Sequence, residues 1–261
     1  EQIKIFEKLD FKVEDGKVYV PSFRSDVEHK ADLSEEVARF YGFDKIDTKP
    51  LSGVAEGGFS AAQKFENLIT STVVSLGFSE IYTYSFMSPK AYDKICLPEN
   101  SALRNSIVIT NPLGEDTSVM RTTALPSMLE VVSRNYNNRN LSASFFELAK
   151  VFSPKDENTL PEEKRYLTLA MYGDGCDYFT LKGKLEEIFA IAGISNVDVE
   201  AVTDNPSFHP GRTAVISLEG KEFALLGEIH PDVAENYSLG TKVYPILHSE
   251  IKSCEINAME K

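Results

Sequence analysis

Between residues 47 and 58 the chain reads DTKPLSGVAEGG, where proline, serine and glycine crowd together and the apolar residues follow neither a helical nor a strand period. Nothing in such a stretch can bury a face, so it separates two folding units. The expected layout is a domain over 1–50, a linker over 51–58, a larger domain over 59–250 and a tail over 251–261. A chain of 261 residues that is 42% hydrophobic carries enough apolar surface for two such cores.

In the first segment Ile3, Phe6 and Leu9 fall at helical spacing. Phe11 and Val13, then Val18, Tyr19 and Val20, flank the Asp15-Gly16 turn signal as two short strands. Pro21 ends the second strand, Phe23 to Asp26 form a loop, and 32–40 returns to a helical period with Leu33, Val37 and Phe40 on one face until Gly42 stops it. Residue 1 is Glu, already inside an amphipathic pattern, so the chain is expected to be an excerpt of something longer.

Beyond the linker, Ser60 caps a helix with an apolar stripe through Phe65, Leu68, Ile69, Val73 and Leu76. Strands are expected over 81–86, 106–110, 145–152 and 166–172, with a turn at 111–114. A helix starts at Pro126 and another spans 177–193, and 214–218 with 223–229 form a hairpin across Glu219-Gly220. Helices and antiparallel strands mix without βαβ alternation, so the fold class is α+β.

Forty acidic against 27 basic residues give a net charge of −13, which repels phosphate backbones and leaves nucleic-acid binding to a local exception. Cys96, Cys176 and Cys254 are odd in number and far apart, which fits a reducing cytosol better than a disulfide framework or a zinc motif. No apolar run approaches the roughly 20 residues that span a bilayer, and no signal peptide is visible. A cytoplasmic protein without membrane partners is expected.

The densest chemistry lies at Asp26, Asp32, Glu35 and Glu36, four carboxylates within eleven residues. Hard oxygen donors of this kind suit Mg²⁺. The same spacing fits a capping box with Asp32 as N-cap, and Glu35 is placed to pair with Arg39 one turn later. His29, His209, His230 and His248 are isolated, so a metallohydrolase is not supported. His209-Pro210-Gly211-Arg212 is first of all turn chemistry. Arg121, ahead of the Pro126 helix and its Asn135–Asn140 cluster, is suited to a structural ion pair or to holding a carboxylate or phosphate. No phosphate loop and no nucleophile elbow is present.

The order of segments carries a resemblance. Val20-Pro21-Ser22-Phe23-Arg24-Ser25-Asp26, then Asp32-Leu33-Ser34-Glu35-Glu36-Val37-Ala38-Arg39-Phe40-Tyr41-Gly42-Phe43, closely resembles the B5 domain of the bacterial phenylalanyl-tRNA synthetase β subunit. Met120 to Pro126, Phe146-Glu147-Leu148, Asp177 to Gly183, His209 to Arg212 and Gly227 to Pro231 resemble, in order, that subunit's class II synthetase-like core. The resemblance implies a small helix and hairpin domain followed by an antiparallel sheet flanked by helices. It also implies a Mg²⁺ on Asp26, Asp32, Glu35 and Glu36 that is shared with the α subunit of an α2β2 enzyme. The parent reaction would join phenylalanine to tRNA(Phe) at the expense of ATP, with the chemistry in α.

The core resembles a class II catalytic domain but lacks its signatures. Gly173-Asp174-Gly175 starts a G-x-G-x-G-x-x-R segment that continues with Asp177 and Thr180 where Gly and Arg belong, and Ser144 stands where an Arg ahead of Phe146-Glu147 is wanted. No catalytic residue is therefore expected in this chain, whose task would be support of α. The parent's tRNA-binding, editing and anticodon-binding modules do not fit into 261 residues, so tRNA would be met through the holoenzyme. Two rivals stand beside this reading: an autonomous class II-like ATP-dependent ligase, and a nucleic-acid-binding module. The second is disfavoured by 9 basic against 12 acidic residues over 1–50.

Overall fold

The structure, a computed structural model, describes residues 1–250 apart from 51, 54–56, 157–158 and 241. His248 has no described side chain, and Cys254 and the expected tail lie outside the described residues. The chain divides after Gly57 into two compact units.

The first unit runs α1 (Gln2–Lys8), β1 (Lys12–Glu14), β2 (Lys17–Tyr19) and α2 (Lys30–Tyr41). The hairpin pairs Val13 with Val18, and Asp15 and Gly16 both take positive φ, 47° and 72°, as a two-residue turn matched to strand twist requires. Its core is small: Phe6, Phe11 and Val27 are buried, with Leu9, Val13, Val18, Leu33 and Val37 packed around them. The two outer residues of the expected stripes are not part of it. Ile3 and Phe40 are about half exposed, because a core of this size cannot reach both ends of its helices.

The second unit contains α3 (Ala61–Ser75), β3 (Ser79–Glu80), β4 (Phe86–Met87), α4 (Ala91–Lys94), β5 (Val119–Met120) and α5 (Leu125–Asn137). It continues with β6 (Ala143–Ser153), β7 (Glu162–Tyr172), α6 (Tyr178–Ala192), β8 (Val197–Ala201), β9 (Phe208–Leu218), β10 (Lys221–Ile229), α7 (Pro231–Asn236) and β11 (Val243–Glu250). Seven strands form one sheet in the order β3-β6-β7-β11-β10-β9-β8, antiparallel except for β3 beside β6. The fold is α+β.

Alternation along the strands sends side chains to two cores. Leu167, Leu169 and Met171 of β7 pack with Ile69 and Val73 of α3 and Leu181, Leu185 and Ile188 of α6. Ala170 and Tyr172 pack on the opposite face with Leu125, Met128, Leu129 and Val132 of α5. Ser60 closes the capping box of α3: its hydroxyl accepts from the Gln63 backbone N–H, and Gln63 Oε1 accepts from Ser60 N–H.

Two expected strands are largely absent. Within 81–86 only Phe86 belongs to a strand, and 106–110 contributes a lone bridge from Val108 to Val119. Ladder bonds at 83 are replaced by a side chain, since Thr83 N–H donates to the Glu147 carboxylate at 3.2 Å.

Candidate functional site

In the first unit the acidic cluster is organised by arginine. The loop after β2 turns through Arg24 N–H to Pro21 O and Val27 N–H to Arg24 O. This aims the guanidinium back over the Phe11 ring, 5.6 Å away. Arg24 Nε and Nη2 donate to Asp26 at 2.9 and 2.7 Å, and Nη2 also donates to Glu36 Oε1 at 2.7 Å. Arg39 Nη2 takes the other Glu36 oxygen at 2.5 Å. Hydrogen bonds from Arg24 and then Arg39 hold Glu36 below the usual carboxylate range. Arg24 does the same for Asp26, and both partners push the Arg24 guanidinium up. At 7% exposure Glu36 is the one buried member of the cluster.

Asp32 is not the N-cap. His29 occupies that position, and Asp32, at N3, accepts from the backbone N–H groups of His29 and Glu28, both at 2.9 Å, which lowers its pKa. Arg39 pairs with Glu36 rather than Glu35, since an i, i+3 step brings it onto the buried carboxylate. Glu35 is exposed and has no side-chain partner among the described residues. The donor chemistry of Asp26, Asp32, Glu35 and Glu36 suits Mg²⁺. Their geometry in this chain is dispersed: among the described residues no group of three or more His, Cys, Asp or Glu is gathered tightly enough to hold a metal ion.

In the second unit Arg121 is 1% exposed and spent internally. Its Nε donates to Lys150 O at 2.8 Å, Nη1 to Thr83 Oγ1 at 2.6 Å and Nη2 to Glu147 Oε1 at 3.0 Å. Thr83 Oγ1 donates onward to Glu147 Oε2 at 2.7 Å. Of the two roles the sequence left open, Arg121 therefore takes the structural ion pair, stitching the irregular 81–85 segment to β6. Gly173 and Gly175, both at positive φ, turn the chain from β7 to α6, and Asp177 caps α6 by accepting from Thr180 N–H at 2.7 Å.

The same segment that Arg121 anchors shows two tyrosines to solvent. Tyr82 is 86% and Tyr84 77% exposed, and Tyr84 stacks on Phe86 with ring centroids 5.6 Å apart. They border a groove of about 840 Å³ floored by Met87, Pro126 and Val131 and rimmed by Lys90, Glu130 and Arg134. Side by side on one segment, these rings give the groove an apolar edge. The apolar-polar alternation of 81–84 reads as a strand in sequence. Nothing in that run distinguishes its two phases, and it is the tyrosine phase that faces water.

Residues 46–246 match the family described as phenylalanyl tRNA synthetase beta chain CLM domain, and residues 1–43 match the tRNA synthetase B5 domain. The chain belongs to the phenylalanyl-tRNA synthetase β-chain family. Among its curated relatives, the phenylalanine–tRNA ligase β subunit of Clostridium acetobutylicum is 45% identical over 230 residues, which cover 87% of this chain and 29% of the relative. That of Clostridium tetani is 44% identical over 240 residues, covering 91% and 30%. The chain thus spans less than a third of these β subunits. Among solved structures, the pyrrolysyl-tRNA synthetase of Desulfitobacterium hafniense superposes with a TM-score of 0.61 at 12% identity, over 98% of this chain and 89% of that one, a likeness of fold alone. All four carboxylates lie inside the B5 match, and the Arg121 node and aromatic groove lie inside the β-chain match.

Proposed function

We propose that this chain is a non-catalytic section of a phenylalanine–tRNA ligase β subunit, supporting assembly with a catalytic α subunit in a cytoplasmic α2β2 enzyme that charges tRNA(Phe) at the expense of ATP. The observation that carries the reading is the exposed Tyr82, Tyr84 and Phe86 face with its groove, held in place from beneath by a fully buried Arg121–Glu147 pair. A rigid aromatic surface of this kind offers anchors for a protein partner. The missing class II signatures add to it: Asp177 and Thr180, where a phosphate-clamping segment would want Gly and Arg, serve as cap and capped residue of α6.

In that assembly Asp26, Asp32, Glu35 and Glu36 are the proposed carboxylate donors to a Mg²⁺ shared with α. Asp32 Oδ1 and the Glu35 carboxylate are uncommitted, which favours the idea, whereas Asp26 and Glu36 would have to exchange arginine contacts for the cation. The chain's own residues then act by binding and orienting, and tRNA is reached only through the assembled enzyme.

Phenylalanine-dependent ATP–pyrophosphate exchange, measured for full-length β alone, α alone and the two together, tests the division of labour. The expected result is no exchange by β alone and full exchange on mixing. Exchange by β alone would overturn the reading in favour of an autonomous ligase.

A further inference from the structure

Two short motifs without a task in the account above, His209-Pro210-Gly211-Arg212 on β9 and Gly227-Glu228 on β10, meet in space. The ladder pairs Gly227 with Thr213 and then Ile229 with Phe208, so residues 209–212 stand opposite Glu228 alone as a large bulge. The bulge is closed by Thr213 Oγ1 donating to His209 O at 2.7 Å and Gly211 N–H donating to His209 Nδ1 at 3.0 Å. A Cβ on Gly227 would come within 2.6 Å of Arg212 O, so glycine is what lets the two backbones approach here. Bulges of this kind re-aim side chains. This one turns Arg212 onto its neighbouring strand.

The result is a guanidinium held by one end. Arg212 Nη1 donates to both Glu228 oxygens at 2.9 and 2.8 Å, Glu228 is 5% exposed, and Tyr244 hydroxyl donates to the same carboxylate at 3.2 Å. Lys242 Nζ stands 3.9 Å from it. One buried carboxylate therefore faces two cations. Asp177, whose charge also reaches Tyr244, is committed to the Thr180 amide. The Arg212 side chain is 46% exposed, and its Nε and Nη2 have no hydrogen-bond partner among the described residues. That leaves a planar two-donor edge, fixed in orientation, on the surface of a chain with charge −13.

A planar guanidinium edge matches the two oxygens of a carboxylate or a phosphate. Arg212 and Lys242, already offset in part by Glu228, on a chain of charge −13 are poorly suited to a polyanion, whose binding grows with the number of phosphates neutralised. A single acidic side chain needs no more than this. We infer that Arg212, oriented by Glu228, is an interface anchor for an Asp or Glu side chain of a protein partner. The inference rests on the assembly reading above, which makes α the partner to test.

The test uses full-length β and α, with the association constant measured at low and moderate salt. Arg212→Ala alone would strand a buried carboxylate, so the variant is Arg212→Met with Glu228→Gln, joined by Arg212→Lys, which keeps a charge for Glu228 but loses the fork. Both are expected to weaken association about 10- to 100-fold. The double variant, which removes the cation, should also flatten its salt dependence, and that variant should melt close to wild type. If the double variant is too unstable to assay, Arg212→Lys decides alone. Wild-type association by folded variants overturns the anchor, as does loss of tRNA affinity with subunit association intact, which would make the ligand a phosphate. Failure of wild-type β to bind α would instead overturn the assembly reading and the anchor with it.

Discussion

Arg121 Nη2 meets Glu147 Oε1 at 3.0 Å with both side chains almost wholly withdrawn from water. Thr83 completes the node, so every member is answered by another. Removing one partner leaves the other charge buried and unpaired, at a cost of about 3–5 kcal/mol. Arg121→Met and Glu147→Leu should each show that loss in chemical denaturation. The double variant should recover a large part of it, because an apolar pair of similar volume strands no charge. Additive losses in the double variant would refute the node.

Glu36 gives the first unit a pH dependence of known sign. Its carboxyl is held below the ordinary value of 4.5 by Arg24 and Arg39, so the folded state binds its proton less readily than the unfolded chain. The stabilisation is complete above the ordinary carboxylate value and is lost as pH falls through the lowered one. Acid unfolding followed by NMR of the Phe6 and Phe11 rings should show this limb, and Glu36→Gln should flatten it. An unchanged acid limb in the variant would contradict the Arg24–Glu36–Arg39 arrangement.

Gly173 sits at φ 107°, and an added Cβ would lie 2.3 Å from Ser142 Cβ and 2.7 Å from Leu141 O. Gly173→Ala should therefore destabilise the second unit by more than the roughly 1 kcal/mol of an ordinary positive-φ substitution. Gly175→Ala, with positive φ but open space around it, should lose less. Equal losses, read from thermal melts, would show that crowding against 141–142 has no energetic weight.

Legibility followed the range of the interactions. Helices α3, α5 and α6 and the β9–β10 hairpin were readable because their signals are local: an apolar stripe, a capping residue, a Glu219-Gly220 turn. Strand β11 was not, since Pro245 breaks a strand pattern and yet pairs opposite Ala170 in the middle of the sheet. Strand β8, VDVEA at the sheet edge, does alternate, but over five residues of which only Val197 is even partly buried, too short and too exposed a signal to stand out from the surrounding loops. In the acidic cluster the residue types were legible and their partners were not. Which carboxylate meets Arg24 depends on a loop folding across a distance of twelve residues, and that placed Glu36, rather than Glu35, under the arginines.

The central claim is that the Tyr82–Tyr84 face belongs to an interface, and titration of α into full-length β carrying Tyr82→Ser and Tyr84→Ser tests it most directly. Both side chains are exposed, so the melting temperature of the variant should stay within about 2–3 °C of wild type. Its affinity for α should fall at least about tenfold, as loss of aromatic anchors does at an interface core. Wild-type affinity in that folded variant would contradict the account.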